Sequence, residues 1–168
     1  MYRNLLICLL MATALTGCAK LEKVNHFLPA ALAWFNQTEQ ELLAVGRPLT
    51  AEELEIAHKV GVSQPEKVRL VVHPDFPIPS DPELRREAER LRLGSDWEGG
   101  RTMGYAILLK PEFATNRTML THELVHVTQI DRMGNEDFLK RYLIEMELLG
   151  YENSLMEREA RQVAGEAF

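Results

Sequence analysis

A chain of 168 residues, with 25 acidic and 19 basic side chains and 46% hydrophobic residues, is the size of one compact domain. A charged fraction of 26% beside that apolar content excludes wholesale disorder, collagen-like repeats and a polytopic membrane protein. The net charge of −6 argues against a nucleic-acid binder, which needs a basic face, and two cysteines cannot build a disulfide scaffold.

The chain opens with a charged n-region carrying Arg3, followed by a mostly apolar run from Leu5 to Leu15. That run is too short to span a bilayer and reads as a secretory signal. Its end, Leu15-Thr16-Gly17-Cys18, resembles the lipobox of bacterial lipoprotein signal peptides. The resemblance implies cleavage before Cys18, lipid on its thiol and new amino terminus, and, with Ala19 rather than Asp following, sorting to an outer membrane facing the periplasm. Loss of residues 1–17 would remove Cys8, so Cys18 would have no disulfide partner within the chain. Several acyl chains anchor durably where one is marginal. The expected organisation is thus a leader (1–17), a lipidated tether (18–27) and one domain (28–168).

Leu28 to Val45 shows helical periodicity at Leu32, Phe35, Leu42 and Leu43, with Gly46 as its stop. Thr50-Ala-Glu-Glu53 is a capping box that opens a helix from Ala51 to Val60, closed by Gly61. Lys67 to His73 is β-branched and apolar between Pro65 and Pro74, and reads as a buried strand. After the proline-rich stretch, Ser80, Asp81 and Pro82 start a charged helix to about Leu93. Gly99-Gly100 marks a loop, and Thr102 to Lys110 (TMGYAILLK) reads as a second strand. Asn116 caps a helix from Arg117 to about Asp131, Gly134-Asn135 breaks it, and Glu136 to Leu149 forms another. A last helix begins near Asn153 or Ser154 and reaches about Val163. This is an α+β pattern, mostly helical, with a small sheet.

The segment Thr121-His122-Glu123-Leu124-Val125-His126 holds the spacing H-E-x-x-H. Four residues advance a helix by about 6 Å and 40°, so both imidazoles leave one face and can converge on an ion. Glu123 stands where it would handle a water proton rather than the metal. A zinc site needs a third protein ligand. His26, His58 and His73 lie upstream, in positions that read more readily as surface or strand-end residues. Downstream, Glu157 and Glu159 stand near a helix start. Their two-residue spacing turns them about 200° apart, so both cannot readily bind one ion. Ser154-x-x-Glu157 is also a capping box, which would turn that carboxylate to the backbone instead. Glu159 is the backup ligand, and its expected role beside Glu157 is to bond a histidine N–H or an arginine.

LTAEELEIAHKVGVSQPEKVRLVV, TMGYAILLK, LTHELVHVTQIDRMG and GYENSLMEREA together resemble a group of small bacterial zincin-like proteins, gluzincin-type and known chiefly as predicted metal-dependent hydrolases. The resemblance implies one zinc ion held by His122, His126 and Glu157, with Glu159 as the backup ligand, Glu123 as general base, and Ala160 as the small residue between two helices. It also implies that the strand before the metal helix is a sheet edge on which an extended peptide pairs, here Thr102, Met103, Gly104, Tyr105, Ala106 and Ile107. Arg161 stands where many gluzincins have Asp. Tyr151, or Tyr105 on the strand, is the expected donor to a developing oxyanion.

The expectation is a lipid-anchored zinc metallopeptidase acting on peptide or protein in the cell envelope, with no nucleic-acid partner. The alternative class is a catalytically silent zinc lipoprotein serving as a binding or structural module. Zinc storage is disfavoured, because the chain lacks a His-rich or Cys-rich run.

Overall fold

The computed structural model describes residues 2–165, with side chains from residue 17 onward; the side chains of the expected leader therefore lie outside the description. Helix α1 (Tyr2–Val45) is followed by β1 (Arg47–Pro48), α2 (Ala51–Val60), β2 (Arg69–Val72), α3 (Pro82–Arg90), β3 (Gly100–Met103), β4 (Ala106–Leu109), α4 (Arg117–Leu148) and α5 (Leu155–Ala164). The class is α+β: a small mixed sheet among helices, in the strand order β1-β2-β4-β3.

Residues 18–27, expected as a tether, continue α1. Ala19, Lys20, Leu21, Glu22 and Lys23 are all good helix formers, and the segment is tied to the body. Val24 is buried, Lys20 Nζ donates to the Glu147 carbonyl at 2.6 Å, and Lys23 pairs with Glu87 at 2.5 Å. Among the described residues, no helix is long and apolar enough to cross a membrane.

Thr50 and Glu53 cap α2 reciprocally, as their spacing predicts, and Arg47 adds two 2.7 Å bonds to the Glu53 carboxylate. The Arg47 hydrogen bond outweighs partial burial and, with the Thr50 N–H, holds the Glu53 carboxyl below its ordinary value. Such a group stabilises the fold above the unfolded carboxylate pKa and loses that contribution as pH falls through the folded one. Glu53→Gln is therefore expected to lower the melting temperature at pH 7 by a few degrees, roughly 1 kcal/mol for a cap. A thermal scan series should show the deficit closing once the pH drops below about 4.5.

The run TMGYAILLK is not one strand. Gly104 has φ +63°, and Gly104-Tyr105 forms a two-residue turn that pairs Met103 with Ala106 and Thr102 with Ile107. A glycine first and a negative φ second give the sign pattern of a II′ hairpin. A Cβ at Gly104 would coincide with the carboxylate of Glu39 on α1, which accepts the Tyr105 N–H at 2.8 Å. The expected edge strand is thereby corrected. Thr102 and Met103 lie on the edge strand β3 and Gly104 and Tyr105 in the turn. Ala106 and Ile107 lie on β4, which is interior and pairs with β2 in parallel on its other side.

Alternation along β4 divides the core. Ile107 and Leu109 join Leu70, Leu120, Leu124, Val127 and Ile56; Ala106 and Leu108 join Met103, Phe35, Leu42, Ile130 and Phe138. Fully burying each such large aliphatic chain contributes roughly 1.5–3 kcal/mol, so α4 is pinned against the sheet along its first half. Asn116 caps its start by accepting the Met119 N–H at 3.0 Å. At Gly134, φ 77° and ψ 164° break the helix where the sequence predicts a break. Asn135 holds the kink to α1 through Asn36 and Glu39, at 2.9 and 2.8 Å. The kink returns the second half of α4 toward the first, which brings Phe138 and Tyr142 to His126, each with ring centroids 6.2 Å apart.

Candidate metal centre

His122, Glu123 and His126 sit mid-helix on the first half of α4 and are 5%, 4% and 5% exposed. Glu157, in the first turn of α5, is 2% exposed. Whether Glu157 caps its helix or faces the histidines is decided by a division of labour. Ser154 Oγ accepts the Glu157 N–H at 3.3 Å. The reciprocal partner, however, is Glu145, whose Oε2 accepts from Ser154 Oγ at 2.8 Å and from the Met156 N–H at 3.0 Å. With the helix end satisfied by Glu145, the Glu157 carboxylate turns to the histidines.

Glu157 Oε2 lies 3.2 Å from His122 Nε2, Glu157 Oε1 3.5 Å from His126 Nε2, and the two Nε2 atoms 3.1 Å from each other. Bonds of about 2.0–2.1 Å at a tetrahedral angle require ligand atoms about 3.3–3.4 Å apart. Each of these three contacts is close to that separation, with one Glu157 oxygen facing each histidine, and two imidazoles with one carboxylate are a set suited to zinc. These are the residues that could hold an ion among those described. His26 and His58 are exposed on α1 and α2, and His73 is exposed beyond β2, bonded to Asp75; none of them joins the cluster.

Charge is arranged to suit. Burial raises the Glu157 carboxyl, but the His122 contact, the charges of His126 and His122, and the Tyr142 hydroxyl outweigh it and hold the pKa down to about 2. Burial raises that of Glu123, against the lowering influence of the two histidines and the Thr102 hydroxyl. Thr102 Oγ1 reaches Glu123 Oε2 at 2.8 Å and the Glu123 carbonyl at 2.9 Å. A Cβ on Gly100 would meet Glu123 Oε1 at 2.5 Å, so only glycine lets β3 lie this close to the carboxylate.

Two side chains beside the cluster escape the sequence reading. Tyr142 donates to Glu157 Oε1 at 2.8 Å; burial and the neighbouring Glu157 charge raise its pKa well above the usual phenol value. It comes from beyond the Gly134 kink, and no local pattern announces where that kink sends it. Gln129, 1% exposed, places Oε1 2.9 Å from His126 Nδ1. Its i+3 spacing from His126 was a usable signal.

Of the two expected oxyanion donors, Tyr105 bonds Asp131, which also accepts the Ser63 N–H at 2.7 Å, and so is engaged away from the cluster. Tyr151 is half exposed with the Arg161 guanidinium 5.3 Å above its ring. Its pKa is raised, by partial burial first and then by Glu157. Glu159 pairs with Arg132 at 2.8 Å and accepts from Gln129 Nε2 at 2.9 Å, so it stands outside the three-atom cluster. Arg161 bonds the Glu152 carbonyl at 2.8 Å. Comparison of the chain with protein-family models, curated proteins and solved structures finds no match in any of the three.

Proposed function

We propose that the chain is a zinc-dependent metallopeptidase acting on peptide or protein in the cell envelope, tethered by lipid on Cys18 to an outer membrane facing the periplasm. The observation that carries the reading is the convergence of His122 Nε2, His126 Nε2 and the Glu157 carboxylate, whose ligand atoms all lie within 4.8 Å of one another, with Glu123 held beside them. A zinc ion held by those three residues supplies Lewis acidity, which makes water acidic enough to attack a carbonyl near neutral pH.

The remaining work belongs to the chain's own groups. Glu123 accepts the proton of the attacking water at its carboxylate and hands it to the leaving amine; Thr102 fixes that carboxylate from β3. Tyr142 steadies Glu157, and Tyr151 stands at the exposed flank to donate to the developing oxyanion. The Lys110 N–H bond to the Gly99 carbonyl, 2.9 Å, starts the β3–β4 ladder. Its alternation points the backbone groups of Gly100 and Thr102 away from β4, at the level of Glu123, where an extended peptide would pair. Cys18 is exposed on α1, as lipid attachment requires.

A specific observation favours the second reading, a catalytically silent zinc module: all four central groups are at most 5% exposed, as in closed structural sites. Elemental analysis of the purified full chain in detergent is expected to find close to one zinc per chain, absent from His122→Ala. Hydrolysis of a mixed peptide library should stop on chelation and return with zinc. A chain that neither contains zinc nor takes it up overturns both readings, whereas one zinc without hydrolysis leaves the silent module.

A further inference from the structure

The amide of Gln129 is oriented by its surroundings. Its nitrogen lies 3.0 Å from the Met156 carbonyl and 2.9 Å from Glu159 Oε2, and a carbonyl and a carboxylate can only accept. The –NH2 group must therefore face those two atoms, which spends both of its hydrogens. The amide oxygen is left facing His126 Nδ1 at 2.9 Å. An oxygen can only accept, so Nδ1 must carry a hydrogen, and in the neutral ring Nε2 is then the bare lone pair. Met156 is 1% exposed, so its carbonyl is not readily exchanged for water, and Glu159, nearer the surface, is held by Arg132 at 2.8 Å.

We propose that Gln129 is the positioning residue of this centre: it fixes His126 as the Nδ1–H tautomer and aims Nε2 at the cation, with Glu159 and Arg132 as its outer supports. The tautomer is a property of the chain itself; its consequence for zinc rests on the reading above. Metal-ligating histidines are commonly oriented by an acceptor for the second ring N–H, and loss of that acceptor typically weakens metal binding about 10–100-fold. Here a neutral carboxamide on the metal helix fills the role, held in register by α5, the helix that brings Glu157.

Two measurements test this on the full chain. Long-range proton–nitrogen NMR of the chelator-treated protein, with the His126 ring in its neutral form, should show Nδ1 of His126 protonated and Nε2 bare. Gln129→Leu keeps volume but cannot accept, and is expected to give mixed tautomers and a zinc affinity about 10–100-fold lower. Because Gln129→Leu touches the core, Glu159→Ala serves as the surface variant. It frees one amide hydrogen and should weaken zinc about threefold, less than the roughly 10–100-fold expected for losing the acceptor itself, with an unchanged melting curve. An Nε2–H tautomer in the wild type, or wild-type zinc affinity in Gln129→Leu, overturns the proposal. If the wild type binds no zinc, the zinc reading falls while the tautomer measurement still decides the role of Gln129.

Discussion

Glu123→Gln is expected to keep one zinc per chain and to cut peptide hydrolysis by about 10²–10⁴-fold, the usual worth of a positioned general base. The substitution preserves volume beside Gly100, where β3 comes close, and leaves Thr102 Oγ1 an amide oxygen in place of Oε2. His122, His126 and Glu157 are untouched, so metal content should not change. Stability separates loss of chemistry from loss of fold. Burial is the first cause of the raised Glu123 pKa. A group raised in the folded state favours folding below its unfolded pKa and loses that contribution as pH rises through the folded one. Ionised Glu123 therefore costs the metal-free fold stability at pH 7, and the glutamine variant should melt higher there than the wild type. The gain should disappear below about pH 4.5. Activity lost while the melting temperature rises assigns Glu123 to the chemistry; hydrolysis that survives with zinc present rules out its role as the base.

The elements of this fold are legible where one physical signal dominates. Thr50 and Glu53, Asp81 with Pro82, Asn116 and Ser154 each announce a helix start by a side chain suited to the free N–H groups, and all four stand at helix starts. The hairpin was hidden because TMGYAILLK is apolar on both sides of its turn. The only mark of the turn is Gly104 followed by Tyr105, a Gly-X pair that fits a II′ turn but lies inside a run that periodicity joins. The two histidines and Glu123 follow from helical spacing alone. Glu157 could not be separated from a cap by local sequence, since the residue that satisfies the α5 start, Glu145, lies nine positions before Ser154 on another helix. Tyr142 depends on the direction of the Gly134 kink, which Asn36, Glu39 and Asn135 set through contacts about a hundred positions apart.

Glu157→Gln should separate ligand from scaffold most sharply. Apparent zinc binding of about 10–16 kcal/mol over four ligands makes one ligand worth about 3 kcal/mol, or about 10²-fold in affinity at 1.4 kcal/mol per decade. Glutamine keeps an oxygen for the Tyr142 hydroxyl, and the cap on α5 does not pass through the Glu157 side chain: Ser154 accepts its backbone N–H and Glu145 holds Ser154 and Met156. The helix should therefore stay in place while zinc affinity falls about 100-fold, against about threefold for Glu159→Ala. Isothermal titration of zinc into the two chelator-stripped variants reads the contrast directly. If the order is reversed, Glu159 is the ligand, and the 3.2 and 3.5 Å approaches of Glu157 to the histidines are ion pairs that a cation would have to break; equal, wild-type affinities would remove α5 from the metal centre altogether.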